Sequence, residues 1–311
     1  MEEPKNFETF YATRIAPVAD DLKQQDKEAD NQGITMFVFV LLTILGFIFS
    51  VAGSWGWFGG LLTVLLLLAA LYHINKYTKQ DDAYTGNYKE KIIKEVIKYL
   101  QPNLIYKPQD FIDSKEYRRS NLFRHYYDYY DGDDYLQGVY KNVSFHSCEL
   151  HTRVNNLYRS PDTVFKGLFF VAKVNSGFTA GTYVWSHGHD QMGASIGEER
   201  YGLLAIPKVY EMRMYDTFFE QYFCVYSSNP AEAREILSAA MMERMVKFRQ
   251  QINRRFVMSV VAGHCYVAIP FAEDLLEPAS DPGDKEEIKK YFFTILLILS
   301  IVNQLELNRL T

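Results

Sequence analysis

The chain contains few cysteines and no excess of positive charge. Its 311 residues include three cysteines, an odd and scattered set that does not indicate a disulfide framework. We interpret Cys148, Cys224 and Cys265 as small buried apolar groups in a reducing compartment. A net charge of -5 gives no electrostatic footprint for nucleic acid. The glycine-rich stretches match neither a P-loop nor a dinucleotide fingerprint, so no nucleotide cofactor is expected.

Charge is absent between Ile34 and Ile74, where Lys, Arg, Asp and Glu do not occur. Two apolar blocks, 34–52 and 57–74, lie on either side of a glycine-rich turn. The first would be about 28 Å long as a helix, close to the roughly 30 Å hydrocarbon core of a bilayer. The pattern therefore predicts a transmembrane helical hairpin over residues 34–77. Amphipathic rings favour membrane interfaces, which predicts four interface residues: Trp55, Trp57, Tyr72 and Tyr77.

Positive residues flank the hairpin on both outer sides and are missing from its turn. The positive-inside bias then predicts a multi-pass protein of the bacterial inner membrane with both termini in the cytoplasm. The first 33 residues are polar, and no small-residue cleavage site follows the first apolar block, so this span is expected to remain as an anchor. A mean hydropathy of -0.18 argues against a polytopic transporter. The flanking lysines are Lys23, Lys27, Lys76, Lys79, Lys89, Lys91 and Lys94.

Two amphipathic stripes border the hairpin. Residues 1–33 are predicted as an amphipathic cytoplasmic helix with a kink at Pro17, and residues 78–105 as a juxtamembrane helix that stops before Pro102. Because a hairpin returns the chain to the side it left, the stripes are expected to pack against each other as a short stalk. The stripes consist of Phe7, Tyr11, Ile15, Val18 and Leu22, and of Ile92, Ile93, Val96, Ile97 and Leu100.

Residues 106–311 have the pattern of a cytoplasmic α+β domain with an antiparallel sheet. One long helix is predicted from an Asn229 cap to Phe248, lying across the sheet. A C-terminal helix carries an apolar run of about twelve residues, which is short for a span, so contact with lipid stays open. Segments rich in β-branched and aromatic residues predict strands at 140–149, 164–174, 181–185, 208–213, 221–226, 256–260 and 266–269, the last two joined as a hairpin.

Two groups of residues resemble parts of catalytic or metal sites. His187, His189 and Asp190 combine imidazoles and a carboxylate, but no partner motif has ligand spacing, and a polar turn explains them equally well. His146 and Cys148 share one strand face, whereas alternation turns His151 to the other. No third orienting group is evident. We therefore predict no catalytic residue, no metal ligand and no cofactor.

Two further clusters are candidates for binding surfaces. The segment 126–135 places four carboxylates among five tyrosines, and its spacing fails the calcium-loop pattern, so we interpret it as a protein-partner surface or a domain edge. The residues proposed for the partner surface are Tyr126, Tyr127, Tyr129 and Tyr130. Arg254 and Arg255, near the end of the long helix, are candidates for anionic lipid headgroups, although basic residues there also complement the helix dipole.

Four stretches of this sequence resemble an uncharacterised bacterial family. They are Val164 to Phe170, Phe219 to Ser227, Glu232 to Leu237 and Ile301 to Asn308. The sequence departs from the family pattern at Asn229, where Asp is expected, and at 238–239, where Thr-Pro is expected. The resemblance implies a membrane protein with an N-terminal helical pair and a cytoplasmic domain of unknown function, often accompanied by LemA-like membrane proteins.

Together these features predict a non-enzymatic binding or scaffolding module at the cytoplasmic face of the inner membrane. A LemA-like protein is the candidate partner, and a homo-oligomer is compatible with the sequence. The alternatives are a metal-dependent hydrolase built around His187 and His189, and a domain that binds anionic lipid through Arg254 and Arg255.

Overall fold

The computed structural model describes residues 7–53, 56–123, 125–156, 160–187 and 209–310. The chain forms two compact units. The first comprises Met1–Val96 and Glu277–Lys290, and the second comprises Ile97–Leu276 and Tyr291–Thr311.

Two long helical segments dominate the first unit. One contains α1 (Phe7–Phe10), a π-helical turn (Tyr11–Ile15) and α2 (Ala16–Val51). The other contains α3 (Gly56–Tyr88), a second π-helical turn (Lys89–Ile93) and α4 (Lys94–Leu100). Pro17 lies in the first turn of α2, where its missing N–H removes no helical hydrogen bond. The irregularity predicted at Pro17 is thus a π-helical turn just before it.

Small and flat side chains bring α2 and α3 together along the apolar region. A Cβ atom on Gly46 would lie 3.3 Å from Leu66 Cδ1, and one on Gly33 would lie 3.1 Å from the Tyr77 ring. The rings of Phe39 and His73 stack with centroids 4.6 Å apart. The two helices therefore form an antiparallel hairpin with close packing, in agreement with the predicted helical pair.

The polar ends of the same helices are joined by ion pairs. Lys91 Nζ lies 2.6 Å from Asp21 Oδ2, and Arg14 Nη1 lies 3.7 Å from Glu95 Oε2. The apolar stripes beside these pairs are buried, including Ile15 and Ile92. The two ion pairs agree with the predicted pairing of the segments that carry the stripes, as far as Val96 within the first unit.

The second unit contains an antiparallel sheet. Within the described residues it has nine strands in the order β1-β2-β3-β4-β9-β8-β5-β7-β6. The strands are β1 (Ile105–Lys107), β2 (Tyr129–Tyr140), β3 (Val143–Val154), β4 (Asp162–Lys173), β5 (Thr182–Ser186), β6 (Tyr210–Met212), β7 (Phe223–Ser227), β8 (Val257–Val261) and β9 (His264–Pro270). The α+β class with an antiparallel sheet is confirmed.

One face of the sheet is lined largely by aromatic rings, and we call it the aromatic face. A row of paired residues defines it: Cys148, Phe169, Ala268, Val257 and Trp185. A short helix, α5 (Ser114–Arg119), and the segment after it cover this face. Tyr117 of α5 stacks on Phe123 at 4.7 Å, and the Ser259 hydroxyl donates to the Ser120 carbonyl at 2.7 Å.

The opposite face packs against helices, and we call it the helical face. Its central row is Ser147, Phe170, Val267, Met258 and Val184. Phe223 on this face lies 5.3 Å from Phe256, which lies 5.3 Å from Phe248 of helix α7 (Ala239–Ile252). Asn303 of helix α8 (Lys285–Gln304) donates to the Tyr140 hydroxyl at 3.1 Å. The sheet is therefore covered on both sides.

The prediction of one long helix after Asn229 is wrong. The structure has α6 (Pro230–Ile236) and then α7, because Leu237 leaves the helical region with ψ 59°. Ser238 caps the new helix by accepting from the Met241 N–H. The predicted Asn229 cap is confirmed, since its side chain accepts from two N–H groups of α6.

Several strand boundaries also differ from the predictions. Lys141 and Asn142 adopt positive φ and form the turn between β2 and β3, so β3 starts later than predicted and ends at Val154. The predicted β8–β9 hairpin is confirmed, with positive φ at Ala262 and Gly263, as a two-residue type I′ connection requires.

Gly167 in the centre of β4 gives a direct test of the sheet packing. It has φ 142°, and a Cβ there would lie 2.3 Å from the Ile269 carbonyl oxygen. We expect Gly167→Ala to lower the free energy of unfolding by about 2–4 kcal/mol, because backbone atoms would have to move. Urea unfolding of the detergent-solubilised protein, followed by near-UV circular dichroism, measures this loss.

Gly86→Ala is the matched control for that substitution. Gly86 lies in a helix with no atom within 4 Å of its added Cβ, so Ala should leave stability unchanged or raise it. Equal stability of the Gly167→Ala variant and the wild type would contradict the packing described for β4.

Candidate functional site

Within the part of the chain that the structure describes, three helices are long and apolar enough to cross a membrane: Phe7–Val51, Trp57–Leu100 and Lys285–Arg309. They differ in how far the protein itself covers them. In the first helix, none of the apolar window is buried within the protein. The buried share of the corresponding window is 11% in the second helix and 56% in the third. The outward side chains of the hairpin are large and apolar, and Phe49 is 68% exposed. The apolar surface of the hairpin is therefore left uncovered by the protein, whereas more than half of the apolar window of α8 is buried.

The predicted membrane-interface residues fall into different surroundings. Trp57 and Tyr72 are exposed on the hairpin surface. Tyr77 is half-buried and packs its ring over Gly33 across the helix pair. Trp55 lies outside the described residues.

The four tyrosines proposed for a partner surface do not share one surface. Tyr126 is 58% exposed and Tyr129 is 42% exposed. Tyr127 and Tyr130 instead pack against the core of the aromatic face, with their rings 5.6 and 5.4 Å from Tyr117. The Tyr130 hydroxyl donates to the Ile112 carbonyl at 2.8 Å, and burial raises its pKa. The accessible part of this segment is thus Tyr126 and Tyr129.

The two arginines proposed for lipid headgroups differ in their contacts. Arg254 lies 4.3 Å above the Phe271 ring and forms an ion pair with Glu273 at 2.5 Å. Its charge is therefore paired within the domain. Arg255 is exposed. Both follow Asn253, which ends α7 in the left-handed conformation.

The histidine motif is only partly described. His187 directly follows β5, is exposed, and places Nε2 2.9 Å from the Glu220 carbonyl oxygen. His189 and Asp190 lie outside the described residues, so His187 is the one member of the predicted group that the structure describes.

The strand carrying His146, Cys148 and His151 has the predicted alternation. Cys148 is buried on the aromatic face, burial raises the pKa of its thiol, and its sulfur accepts from the Ile112 N–H at 3.3 Å. This is the environment of a structural cysteine rather than a nucleophile. Cys265 is also buried, as predicted, whereas Cys224 is half-buried.

His146 is hydrogen-bonded to a residue that sequence reasoning missed. Its Nε2 lies 3.0 Å from Glu116 Oε2, which links β3 to α5. The hydrogen bond from His146 is the main cause that lowers the pKa of Glu116, and the charges of His264 and Arg119 add to it. This polar contact fixes α5 at one end of the aromatic face.

A second group missed by sequence reasoning lies on the helical face around Glu149. Glu149 is 6% exposed, and its Oε2 accepts from the Leu275 N–H at 2.8 Å. Burial raises the pKa of Glu149. The hydrogen bond from Lys166, at 2.7 Å, lowers the pKa of Asp274. The available sequence signal was a glutamate between Cys148 and Leu150 in the middle of β3.

Comparison with known proteins gives a family match over part of the chain. Residues 163–307 carry a domain described as Protein of unknown function (DUF3137). This range runs from β4 to just beyond the end of α8 and agrees with the resemblance to an uncharacterised family. No curated protein sequence matches this chain.

A solved structure is also similar, the mycobacterial trehalose monomycolate transport factor A, TtfA. It is 12% identical, and the alignment covers 69% of this chain and 94% of that chain with a TM-score of 0.33. A TM-score of this size does not define a shared fold.

The Glu116 contact predicts a pH-dependent stability. We expect Glu116→Gln to lower the free energy of unfolding by about 1–2 kcal/mol at pH 7, because a charge-assisted hydrogen bond to His146 is lost. The folded-state pKa of Glu116 lies below its unfolded value of 4.5, so its contribution is present above pH 4.5 and disappears as the pH falls through the folded-state pKa. Urea unfolding at pH 7 and at pH 3.5 measures the difference.

Glu243→Gln is the control, since Glu243 pairs with Lys247 on the exposed side of α7. The Glu243→Gln variant should have the same free energy of unfolding as the wild type at both pH values. If Glu116→Gln lowered the free energy of unfolding by the same amount at both pH values, the stabilising role of the ionised Glu116 would be refuted.

Proposed function

We propose that this protein is anchored in the bacterial inner membrane by the α2–α3 hairpin and binds or organises another protein at the cytoplasmic face. The observation that carries the proposal is the uncovered apolar exterior of the hairpin. A soluble monomer rarely exposes a continuous apolar patch larger than a few hundred Å². Here the apolar side chains continue along both helices, and helices satisfy their own backbone hydrogen bonds in lipid.

The charge distribution supports the orientation. Lys76 and Lys79 follow the second apolar block, Lys23 and Lys27 precede the first, and the turn between the blocks has no basic residue. Positive residues are retained on the cytoplasmic side, which favours two cytoplasmic flanks.

The side-chain environments favour binding over catalysis. Among the described residues considered for chemistry, Cys148 is buried, His146 bonds Glu116 and His187 lies against a backbone carbonyl. Tyr126 and Tyr129 are exposed, and tyrosine is enriched in protein interfaces. A LemA-like membrane protein is the partner that the family resemblance suggests.

Membrane anchoring is tested by carbonate extraction of bacterial membranes. The wild-type protein should stay in the pellet, and a C-terminal tag should be inaccessible from the periplasm. Leu65→Lys combined with Leu68→Lys should release much of the protein, because each lysine near mid-span costs about 3 kcal/mol of insertion free energy. Leu65→Phe with Leu68→Phe is the size-matched control and should behave as wild type. Release of the wild-type protein by carbonate would exclude this anchoring.

Partner binding is tested by co-purification with a co-expressed LemA-like protein. Tyr126→Ser with Tyr129→Ser should weaken recovery about tenfold or more, as loss of exposed aromatic anchors does at interfaces. Tyr215→Ser, at an exposed tyrosine elsewhere on the domain, is the control. Unchanged recovery of the partner by the double variant would remove Tyr126 and Tyr129 from the binding surface.

A further inference from the structure

Two carboxyl groups meet on the helical face of the sheet. Glu149 of β3 is 6% exposed, and its Oε2 accepts a hydrogen bond from the Leu275 N–H at 2.8 Å. Its other oxygen, Oε1, is buried, and among the described residues no N–H or hydroxyl group reaches it. The Glu149 carboxyl group is hydrogen-bonded to that of Asp274, in the loop after β9. Ionised carboxylates only accept, so this hydrogen bond requires a proton on one of the two groups.

The surrounding charges decide which of the two groups carries the proton. Asp133 of β2 is paired directly with Glu149, and like charges at such positions repel. Burial is the main cause that raises the pKa of Glu149 to about 8, and the charge of Asp133 adds to it. The hydrogen bond from Lys166, at 2.7 Å, is the main cause that lowers the pKa of Asp274. The proton therefore belongs to Glu149, and Asp274 is ionised.

Charged groups from four parts of the second unit surround this pair. Asp134 accepts from the Tyr106 hydroxyl, and Glu273 pairs with Arg254. Burial lowers the pKa of His151, so this imidazole is neutral above pH 7 and does not offset a negative charge there. The surrounding groups are Asp133 and Asp134 of β2, His151 of β3, Lys166 of β4 and Glu273 of the loop.

We propose that Glu149 and Asp274 share one proton, and that this proton makes the attachment of the 271–276 loop to β3 sensitive to pH. When the proton is lost, two carboxylates face each other in a buried position, and their repulsion favours opening of the loop. Along the chain, this loop leads out of the second unit at Leu276, and Glu277 belongs to the first unit. The proton thus sets how firmly the connection between the units is held. The inference does not depend on membrane anchoring or on the partner surface.

The test is hydrogen exchange of the full-length protein in detergent, read by mass spectrometry on peptides that contain residues 271–276. If opening of the loop exposes Glu149, its pKa returns to 4.5 in the open state. Between that pKa and the closed-state pKa, each pH unit then raises the equilibrium constant for opening about tenfold. We expect exchange of the loop, corrected for the intrinsic rate, to rise about tenfold from pH 6 to pH 7 and to level off above about pH 8.

Glu149→Gln is the decisive variant, because the amide has the shape of a protonated carboxyl group and its NH₂ group can donate to Asp274 at every pH. The corrected exchange of the loop should therefore be independent of pH in this variant. Asp131→Asn is the matched control, because Asp131 is an exposed acid of β2 that pairs with Arg153. This control should keep the pH dependence of the wild type.

Wild-type exchange that stays constant between pH 6 and pH 8 would overturn the proposal, and so would a wild-type pH dependence in Glu149→Gln. If that variant does not fold, infrared spectroscopy of the wild type decides. A buried protonated carboxyl group should give a carbonyl band at pH 6 that disappears as the pH rises past about 8. A spectrum without such a band would equally refute the shared proton.

Discussion

The apolar surface of the α2–α3 hairpin must be removed from water, and this requirement shapes the first unit. The side chains between residues 34 and 74 carry no charge, and most of the large ones face outward after the helices have packed. Within the hairpin, the two helices approach closely at Gly33 and Gly46, and this contact covers one side of each helix while the remaining apolar surface stays uncovered. The proposed bilayer then explains why charged residues reappear only beyond the apolar blocks. There they form ion pairs such as Lys91–Asp21 between segments 70 residues apart in sequence.

The parts of the fold that could be predicted from sequence are those with local signals. The hairpin follows from block length and missing charge, and the β8–β9 connection follows from Ala262-Gly263. The break at Leu237 could not be found from hydrophobic periodicity, because Ile236, Leu237 and Met241 continue the same apolar stripe across it. An apolar stripe indicates which side chains are buried. It does not indicate whether a single residue within it departs from helical backbone angles. The capping hydroxyl of Ser238 was the available signal.

The candidate sites were harder to predict because they depend on strand phase and register. Tyr129 and Tyr130 are consecutive in β2, and consecutive strand residues point to opposite faces, so they could not share one exposed surface. The composition of the segment indicates a surface but does not reveal the strand that separates its tyrosines. Glu116 and His146 are 30 residues apart, and Glu149 meets Asp274 across more than a hundred, so their contacts require the tertiary fold.

The environment of Glu149 shows why a buried carboxyl group has a structural use at this position. Replacing a buried ionic group with a packed apolar one is often neutral or stabilising, so burial alone does not account for a glutamate here. An apolar residue, however, would leave the Leu275 N–H without its acceptor. The same loop is held by Lys166–Asp274 and Arg254–Glu273, which join it to β4 and to the segment before β8. Three polar contacts on consecutive residues thus fix the path of the 271–276 loop, and Glu149 supplies the only one of them that acts on the backbone of residues 273–275.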